Sequence, residues 1–277
     1  MEVASLRAFL AVADRRNYGR AALDLSVTQP TLTKQIQALE ARVGGRLFSR
    51  GRHGATLTEL GAILLPEARD LVCRADALEL RMARAARGEV GRLSVGFGLS
   101  SIETAPRAVA AFRRRYPGVT VTLDDMSSHS QLERLATGEL NVGFVRLPVG
   151  DAGGQVLLGT DRLAMATSGE GAADVQEFVQ LRRERGPGLV GQIDRYRAAA
   201  GITAPIVQEA DDLQTVLALV AAGVGAALVP SGATRIAPSS VTLTPVRHPD
   251  AEWRIGAVWN AARPNPLTSN FIEVATA

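Results

Sequence analysis

The first sixty positions contain three runs in which hydrophobic residues recur at helical spacing. The first two runs predict a helix near the N-terminus and a short helix over residues 20–25. The third predicted helix follows Thr28, a residue type that caps helices, and Pro30 is tolerated in its first turn. Gly44 and Gly45 end it. Its buried stripe, with steps of four, three and four residues, consists of Leu32, Ile36, Leu39 and Val43.

The opposite face of the third helix is polar and carries one cation and no acid. Amide side chains can hydrogen-bond to base edges, and lysine or threonine can reach phosphates or bases. A short helix, a turn and a longer helix with such a face predict a helix-turn-helix over about residues 18–37. The candidate DNA-contacting residues on this helix are Gln29, Pro30, Thr31, Thr33, Lys34 and Gln37.

Residues 47–57 have apolar ends that flank a turn with two glycines and two arginines. This pattern predicts a β-hairpin wing whose Arg50 and Arg52 could hold phosphates or enter a minor groove. Residues 1–60 contain nine Lys and Arg against five Asp and Glu, although the whole chain has a net charge of only +3. The local excess indicates a candidate polyanion-binding segment, but charge alone does not distinguish it from a solvated surface.

A longer helical run follows, with apolar residues at steps of three and four from Leu60 to Ala85. This spacing is close to a heptad repeat and predicts a helix over Thr58–Arg87, about 45 Å long. Pro66 lies early in the run and predicts a bend or a local break. The narrow apolar seam favours pairing with the same helix of a second subunit. Packing against its own domain is the alternative.

From residue 91 onward strand and helix patterns alternate, which predicts an α/β domain with mainly parallel sheets. Residues 163–166 are predicted to form a strand and residues 175–185 a helix. Two strand-to-helix junctions, at 98–101 and 126–130, place serine hydroxyls where carboxylates or phosphates bind. Arg146 could add a cation to the same cleft. Ordinary helix capping by the serines and a solvated Arg146 are the alternative.

Composition and motifs exclude several classes of function. The chain has 46% hydrophobic residues, enough for a core, and one cysteine, which excludes an internal disulfide or a four-cysteine zinc site. No apolar run reaches the ~20 residues of a membrane span, and the start lacks a signal peptide, so we expect a soluble cytoplasmic protein. Dinucleotide, Walker, nucleophile-elbow and zinc-protease motifs are missing. Asp124 and Asp125 are adjacent and would point to opposite faces of a strand. We therefore expect neither an enzyme nor a metal site.

The run Tyr18–Glu40, followed by Leu47–Arg50 and Leu57–Gly61, resembles the LysR-type transcriptional regulators. The signature of that family reads AA..L..SQP.LS.QI..LE..LG..LF.R and closes with LT.AG. The match spans about forty positions of this chain. Thr33 stands where the family has serine and keeps the hydroxyl. Lys34 occupies a position at which the family has arginine or lysine and contacts DNA.

The resemblance implies a winged helix-turn-helix in residues 1–58, a linker and dimerisation helix in 59–88, and an α/β effector domain in 89–277. That domain would consist of two lobes similar to periplasmic binding proteins. Lobe I would comprise about residues 91–160 and 240–277, and lobe II about residues 161–239. The implied partners are double-stranded operator or promoter DNA, a second copy in a dimer that pairs into a dimer of dimers, and a small-molecule effector. RNA polymerase is a further candidate partner, and no cofactor is expected.

Segments 92–97, 124–131 and 138–148 resemble the branch of this family that senses benzoate, muconate and chlorinated aromatic breakdown products. This resemblance implies effector contacts on both sides of the cleft between the lobes. Residues 165–191 depart from the family, because lobe II is shorter there by more than a dozen residues. The candidate effector-binding residues are Ser100, Ser101, Ser127, Ser128, Arg146 and Gln214.

Two functions of different class follow from these observations. We expect a bacterial, sequence-specific DNA-binding transcriptional regulator that is modulated by a small, anionic, aromatic or dicarboxylic effector. The alternative is a small-molecule-binding or catalytic α/β protein that uses its N-terminal helices only for dimerisation. A gel shift with DNA from upstream of its own gene distinguishes the two, because only the regulator would retard that DNA specifically.

Overall fold

The computed structural model describes residues 2–51, 54–150, 153–169 and 175–277. The chain divides into two compact units, Met1–Arg84 and Ala85–Ala277. No helix within the described ranges is long and apolar enough to cross a membrane. The same ranges contain no group of three or more histidine, cysteine or carboxylate residues that could hold a metal ion.

The N-terminal unit is helical except for one hairpin, and it contains all the elements expected there. The second helix begins two residues earlier than its apolar pattern indicates, and the third helix follows Thr28 as expected. In chain order the elements are α1 (Val3–Arg15), α2 (Tyr18–Asp24), α3 (Gln29–Val43), β1 (Phe48–Gly51), β2 (Gly54–Leu57) and α4 (Glu59–Ala86).

The core of this unit forms where α1 packs against α3. Phe9 and Val12 of α1 and Leu32 of α3 are fully buried in one cluster. Burial of each such side chain stabilises the fold by roughly 1.5–3 kcal/mol. The Oγ1 atom of Thr28 accepts a hydrogen bond from the Thr31 amide at 3.4 Å, which caps α3. These contacts fix which face of α3 is turned outward.

The long helix α4 runs without interruption through Pro66, so the local break does not occur. Gly61 and Ala68, which lie on either side of the proline, are buried, and Ala68 belongs to the core of this unit. Further along α4 the apolar seam is exposed: Leu71 is 49% exposed and Leu78 58% exposed. An exposed heptad-like seam of this kind favours a partner helix over packing within the same chain.

The C-terminal unit alternates strands and helices, with three short 3₁₀ turns. In chain order its strands and helices are β3 (Val90–Phe97), α5 (Thr104–Arg115), β4 (Gly118–Asp125), α6 (Ser128–Thr137), β5 (Val142–Leu147), β6 (Gly154–Ser168), β7 (Phe178–Leu181), α7 (Pro187–Ala199), β8 (Ile206–Ala210), α8 (Leu213–Ala221), β9 (Ala227–Pro230), β10 (Val241–Pro245), β11 (Glu252–Trp259) and α9 (Pro266–Ala275).

The main sheet of this unit is mixed, so the expectation of mainly parallel sheets is wrong. Its order is β10–β6–β11–β5–β3–β4, and β9 also pairs with β6. Only the pairs that β3 makes with β4 and β5 are parallel. The 15-residue β6 pairs antiparallel with β11, and its second half pairs antiparallel with β9 and β10. The strands β6 and β11 continue from one lobe into the other, and they are distant in sequence. The local alternation of strands and helices therefore does not predict that they pair.

The segment 175–185 is not helical, which corrects a second expectation. It contains the strand β7, whose four residues are all buried and pair in parallel with β8. Phe178 and Leu181 lie in the core of lobe II with Leu217 and Val229. Burial on both faces explains the strand, since four buried residues are too few for periodicity to distinguish helix from strand. The predicted strand at 163–166 is part of the longer β6.

Candidate functional site

The outer face of α3 carries the candidate DNA-contacting residues. Its inner stripe is closed to solvent, because Leu32, Ile36 and Leu39 are at most 2% exposed. Lys34 makes no ion pair with any other described residue, so its charge is available to an external phosphate. Gln29, Pro30, Thr31, Lys34 and Gln37 are exposed, and Thr33 is half-buried with its hydroxyl donating to the Gln29 carbonyl at 2.9 Å.

The hairpin β1–β2 is attached to the end of α1. The amide of Ala55 donates to the Arg16 carbonyl at 2.9 Å, and Arg50 stands opposite Ala55 in the strand register. Gly54 has φ +101°, and a Cβ there would lie 2.3 Å from the Arg16 carbonyl oxygen, so only glycine fits. The other wing candidate, Arg52, lies outside the described residues. Contact of either arginine with DNA stays a prediction.

All six candidate effector-binding residues line one cavity of about 590 Å³ in the C-terminal unit. Five of them come from lobe I, at the carboxyl ends of β3, β4 and β5, and the sixth comes from α8 of lobe II. Lobe II therefore forms part of the wall, to which Leu181, Arg185 and Gly188 also contribute. The residues that the sequence predicted are Ser100, Ser101, Ser127, Ser128, Arg146 and Gln214.

Arg146 is half-buried and connects the two lobes. Its guanidinium lies 3.9 Å from the centroid of the Trp253 ring, and Nη1 donates to the Gly188 carbonyl at 3.2 Å. Its own amide donates to the Ser128 hydroxyl at 3.2 Å. The side chain is thus held at the cavity wall rather than free in solvent, which was the alternative.

Burial lowers the pKa of Arg146 to about 10, because the charged guanidinium loses hydration there. The negative charge of Asp161 opposes this shift, and the positive charge of Arg195 adds to it. Arg146 still carries its charge at neutral pH. A poorly hydrated cation in a cavity wall interacts more strongly with an incoming anion than a surface cation does.

The serine hydroxyls have partners within the protein. Ser127 caps α6 by accepting from the Ser130 amide at 3.2 Å, and Ser101 donates to the Gly98 carbonyl at 3.0 Å. Both therefore have the capping role that was the alternative for them, and Ser101 is only 2% exposed. Ser100 accepts from the Trp253 indole at 3.3 Å. The N-terminus of α6 nevertheless opens into the cavity, where its positive end favours an anion.

Sequence reasoning missed several residues that line the cavity or support its wall. Trp253 packs against Arg146 from β11, and the antiparallel pairing of β11 with β5 brings these two residues together although they are distant in sequence. Arg185 falls in the segment that was expected to be helical. Asp125 also lines the cavity. Its position at the end of an alternating strand was a usable signal, since strand ends form this edge of the sheet.

Two family models match the chain. "Bacterial regulatory helix-turn-helix protein, lysR family" matches residues 3–62, and "LysR substrate binding domain" matches residues 86–277. The transcriptional regulator AlsR of Bacillus subtilis (strain 168) is 32% identical over 291 residues, which cover 99% of this chain and 95% of AlsR. The regulator ClcR of Pseudomonas putida is 30% identical, with coverage of 99% and 98%.

The solved structures agree with these matches. CbnR, a LysR family transcriptional regulator, superposes with a TM-score of 0.80 at 30% identity and covers 99% of this chain and 100% of CbnR. Full-length CbnR in complex with its target DNA gives the same TM-score and covers 99% and 98%. The chain therefore belongs to the LysR family, and it is a DNA-binding transcriptional regulator with a C-terminal effector-binding domain.

Proposed function

We propose that this regulator contacts its operator through the outer face of α3 and the wing, and that a small carboxylic acid in the interlobe cavity modulates its activity. The main support for effector binding is the position of Arg146, which is half-buried beside the N-terminus of α6. The alternative, a protein whose N-terminal helices serve only dimerisation, is disfavoured because the match to the helix-turn-helix family covers residues 3–62.

The DNA half follows from the chemistry of the α3 face. Gln29 and Gln37 can hydrogen-bond to base edges, whereas Lys34 neutralises a phosphate. The wing arginine Arg50 is proposed to hold the flanking backbone. Pairing of two subunits through the exposed seam of α4 would present two copies of α3. Such a dimer reads two half-sites one or more helical turns apart.

The effector half follows from the cavity. A volume of about 590 Å³ suits a small organic molecule. Arg146 supplies a charge, and the first amides of α6, next to Ser128, supply donors for a carboxylate. The resemblance to the benzoate- and muconate-sensing branch implies aromatic or dicarboxylic acids. The effector must bind two arrangements of the lobes unequally, since otherwise it would shift no equilibrium.

Ligand-induced melting shifts test the effector half. Benzoate at millimolar concentration is expected to raise the melting temperature of the wild-type protein and to leave Arg146→Gln unchanged. Arg254→Gln is the matched control, because Arg254 is an exposed arginine of β11 next to Trp253 and does not line the cavity. It should keep the wild-type shift. A full shift in Arg146→Gln would remove Arg146 from the binding site.

A further inference from the structure

The charged lining of the effector cavity is acidic overall. Two arginines and four acidic residues line it, so the lining residues carry a formal net charge of −2. A cavity that binds a dicarboxylic acid would be expected to have a net positive lining, because like charges in a partly desolvated space repel. The charged lining residues are Arg146, Arg185, Asp125, Glu184, Asp211 and Asp212.

Two of the four carboxylates already have partners. The Oδ1 atom of Asp211 lies 3.2 Å from Nη1 of Arg182. Asp212 caps α8, and its two oxygens accept from the amide and the hydroxyl of Thr215 at 2.8 and 2.9 Å. Asp125 and Glu184, by contrast, have no ion pair or hydrogen bond with any described residue. These two carboxylates are available to a ligand.

Asp125 is the better placed of the two, because a strand fixes its backbone. It is the last residue of β4, paired with Phe97 of β3, and the next strand along the sheet is β5, which carries Arg146. Across the sheet Asp125 is level with Phe144, two strand spacings away, and Arg146 lies two residues further along β5, so the two backbones are about 12 Å apart. A small molecule can span this distance between the two side chains. Partial burial raises the pKa of Asp125, as expected for a carboxylate without a compensating cation.

Only one residue of the adjacent acidic pair reaches the cavity. Asp124 and Asp125 point to opposite faces of β4, and Asp124 does not line the cavity. Asp125 is therefore at the ligand site, and Asp124 is outside it. Asp124 is therefore a control residue of the same type, one position away.

We propose that the effector is an aminocarboxylic acid, whose carboxylate binds Arg146 and whose ammonium group binds Asp125. This inference rests on the proposed function, since it takes Arg146 as the carboxylate partner. A second carboxylate at the Asp125 end would meet a like charge, and a neutral end would leave Asp125 unpaired. An ammonium group pairs with Asp125 and offsets the charge of the ligand's own carboxylate, so the ligand adds no negative charge to the cavity.

Three para-substituted benzoates test the proposal, because they share ring and carboxylate and differ in the charge of the far end. These are 4-(aminomethyl)benzoate, 4-methylbenzoate and terephthalate. Isothermal titration of the full-length protein should give the tightest binding for the aminomethyl compound, about fivefold tighter than the methyl compound. Terephthalate should bind most weakly. Asp125→Asn should abolish the aminomethyl preference, whereas Asp124→Asn should retain it.

The outcomes separate this inference from the proposed function. If terephthalate binds as tightly as the aminomethyl compound, the aminocarboxylate assignment is wrong and the carboxylate site stands. If the aminomethyl preference survives in Asp125→Asn, Asp125 is not the partner of the ammonium group. If none of the three compounds binds the wild-type protein, the carboxylate site itself is refuted, and the inference with it. Unchanged melting temperatures of the unliganded variants show that each variant is folded.

Discussion

Lys34→Ala tests the placement of α3 on DNA through the salt dependence of binding. Lys34 is exposed and has no ion pair with a described residue, so its removal leaves the fold of α3 intact. Each phosphate contact contributes about 0.9 to the slope of log K against log salt. A dimer carries two copies of Lys34, so the slope should flatten by up to about 1.8, or about 0.9 for each subunit.

The same slope predicts how the affinity loss changes with salt. Raising the salt concentration fourfold lowers the part of the binding constant that comes from two phosphate contacts by about twelvefold, because 4 raised to the power 1.8 is about 12. The loss caused by Lys34→Ala should therefore be about twelvefold larger at 50 mM than at 200 mM salt. Fluorescence anisotropy with a labelled duplex from upstream of the gene measures both quantities.

Two controls make this measurement decisive. Lys34→Arg keeps the charge and should keep the slope. Arg74→Ala removes one positive charge from α4, where Arg74 pairs with Asp70 at 3.0 Å, and it should leave the slope unchanged. If Lys34→Ala titrates with salt as the wild-type protein does, Lys34 does not contact a phosphate. If Arg74→Ala flattens the slope equally, only net charge matters and the docking of α3 is refuted.

Three further predictions concern the fold and the assembly. Gly54→Ala should lower the free energy of unfolding by roughly 1–3 kcal/mol in urea titrations, because its Cβ meets the Arg16 carbonyl, while Gly44→Ala has open space and should cost less. Hydrogen bonds from Thr215 lower the pKa of Asp212 in the folded protein. The cap therefore stabilises the protein fully at pH values above the pKa of this aspartate in the unfolded chain, and it no longer does so below its lowered pKa in the folded protein. Asp212→Ala should thus cost up to about 1 kcal/mol at neutral pH, shrinking as pH falls from 5 towards 3; a constant difference would contradict the cap. Leu78→Glu, on the exposed seam of α4, should reduce the molar mass measured by light scattering, and an unchanged mass would exclude pairing through this seam.

The N-terminal unit could be predicted from sequence because its signals are local. The stripe from Leu32 to Val43 fixes the buried side of α3, and Thr28 with Gly44 fixes its ends. Each signal involves neighbours within one helix, so periodicity and capping are sufficient. The exposed face then follows by elimination.

The cavity could be predicted only in part, because its walls depend on contacts between distant segments. The serines and Arg146 lie at strand ends, and this position alone indicated lobe I. The stacking of Trp253 on Arg146 depends on the antiparallel register of β11, which no local pattern reveals. The segment around β7 was misassigned because a short buried strand has no distinctive period. The position of Arg185 in the cavity wall was missed for the same reason, because it lies in the same segment.

The most direct test of the account compares a duplex from upstream of the gene with a scrambled duplex of equal length. The wild-type protein should prefer the upstream duplex by at least about a thousandfold at physiological salt. The double variant Gln29→Ala, Gln37→Ala should bind both duplexes with the affinity of the scrambled one, because its phosphate contacts remain and its base contacts are lost. A double variant that keeps the wild-type preference would contradict the claim that the outer face of α3 reads the operator.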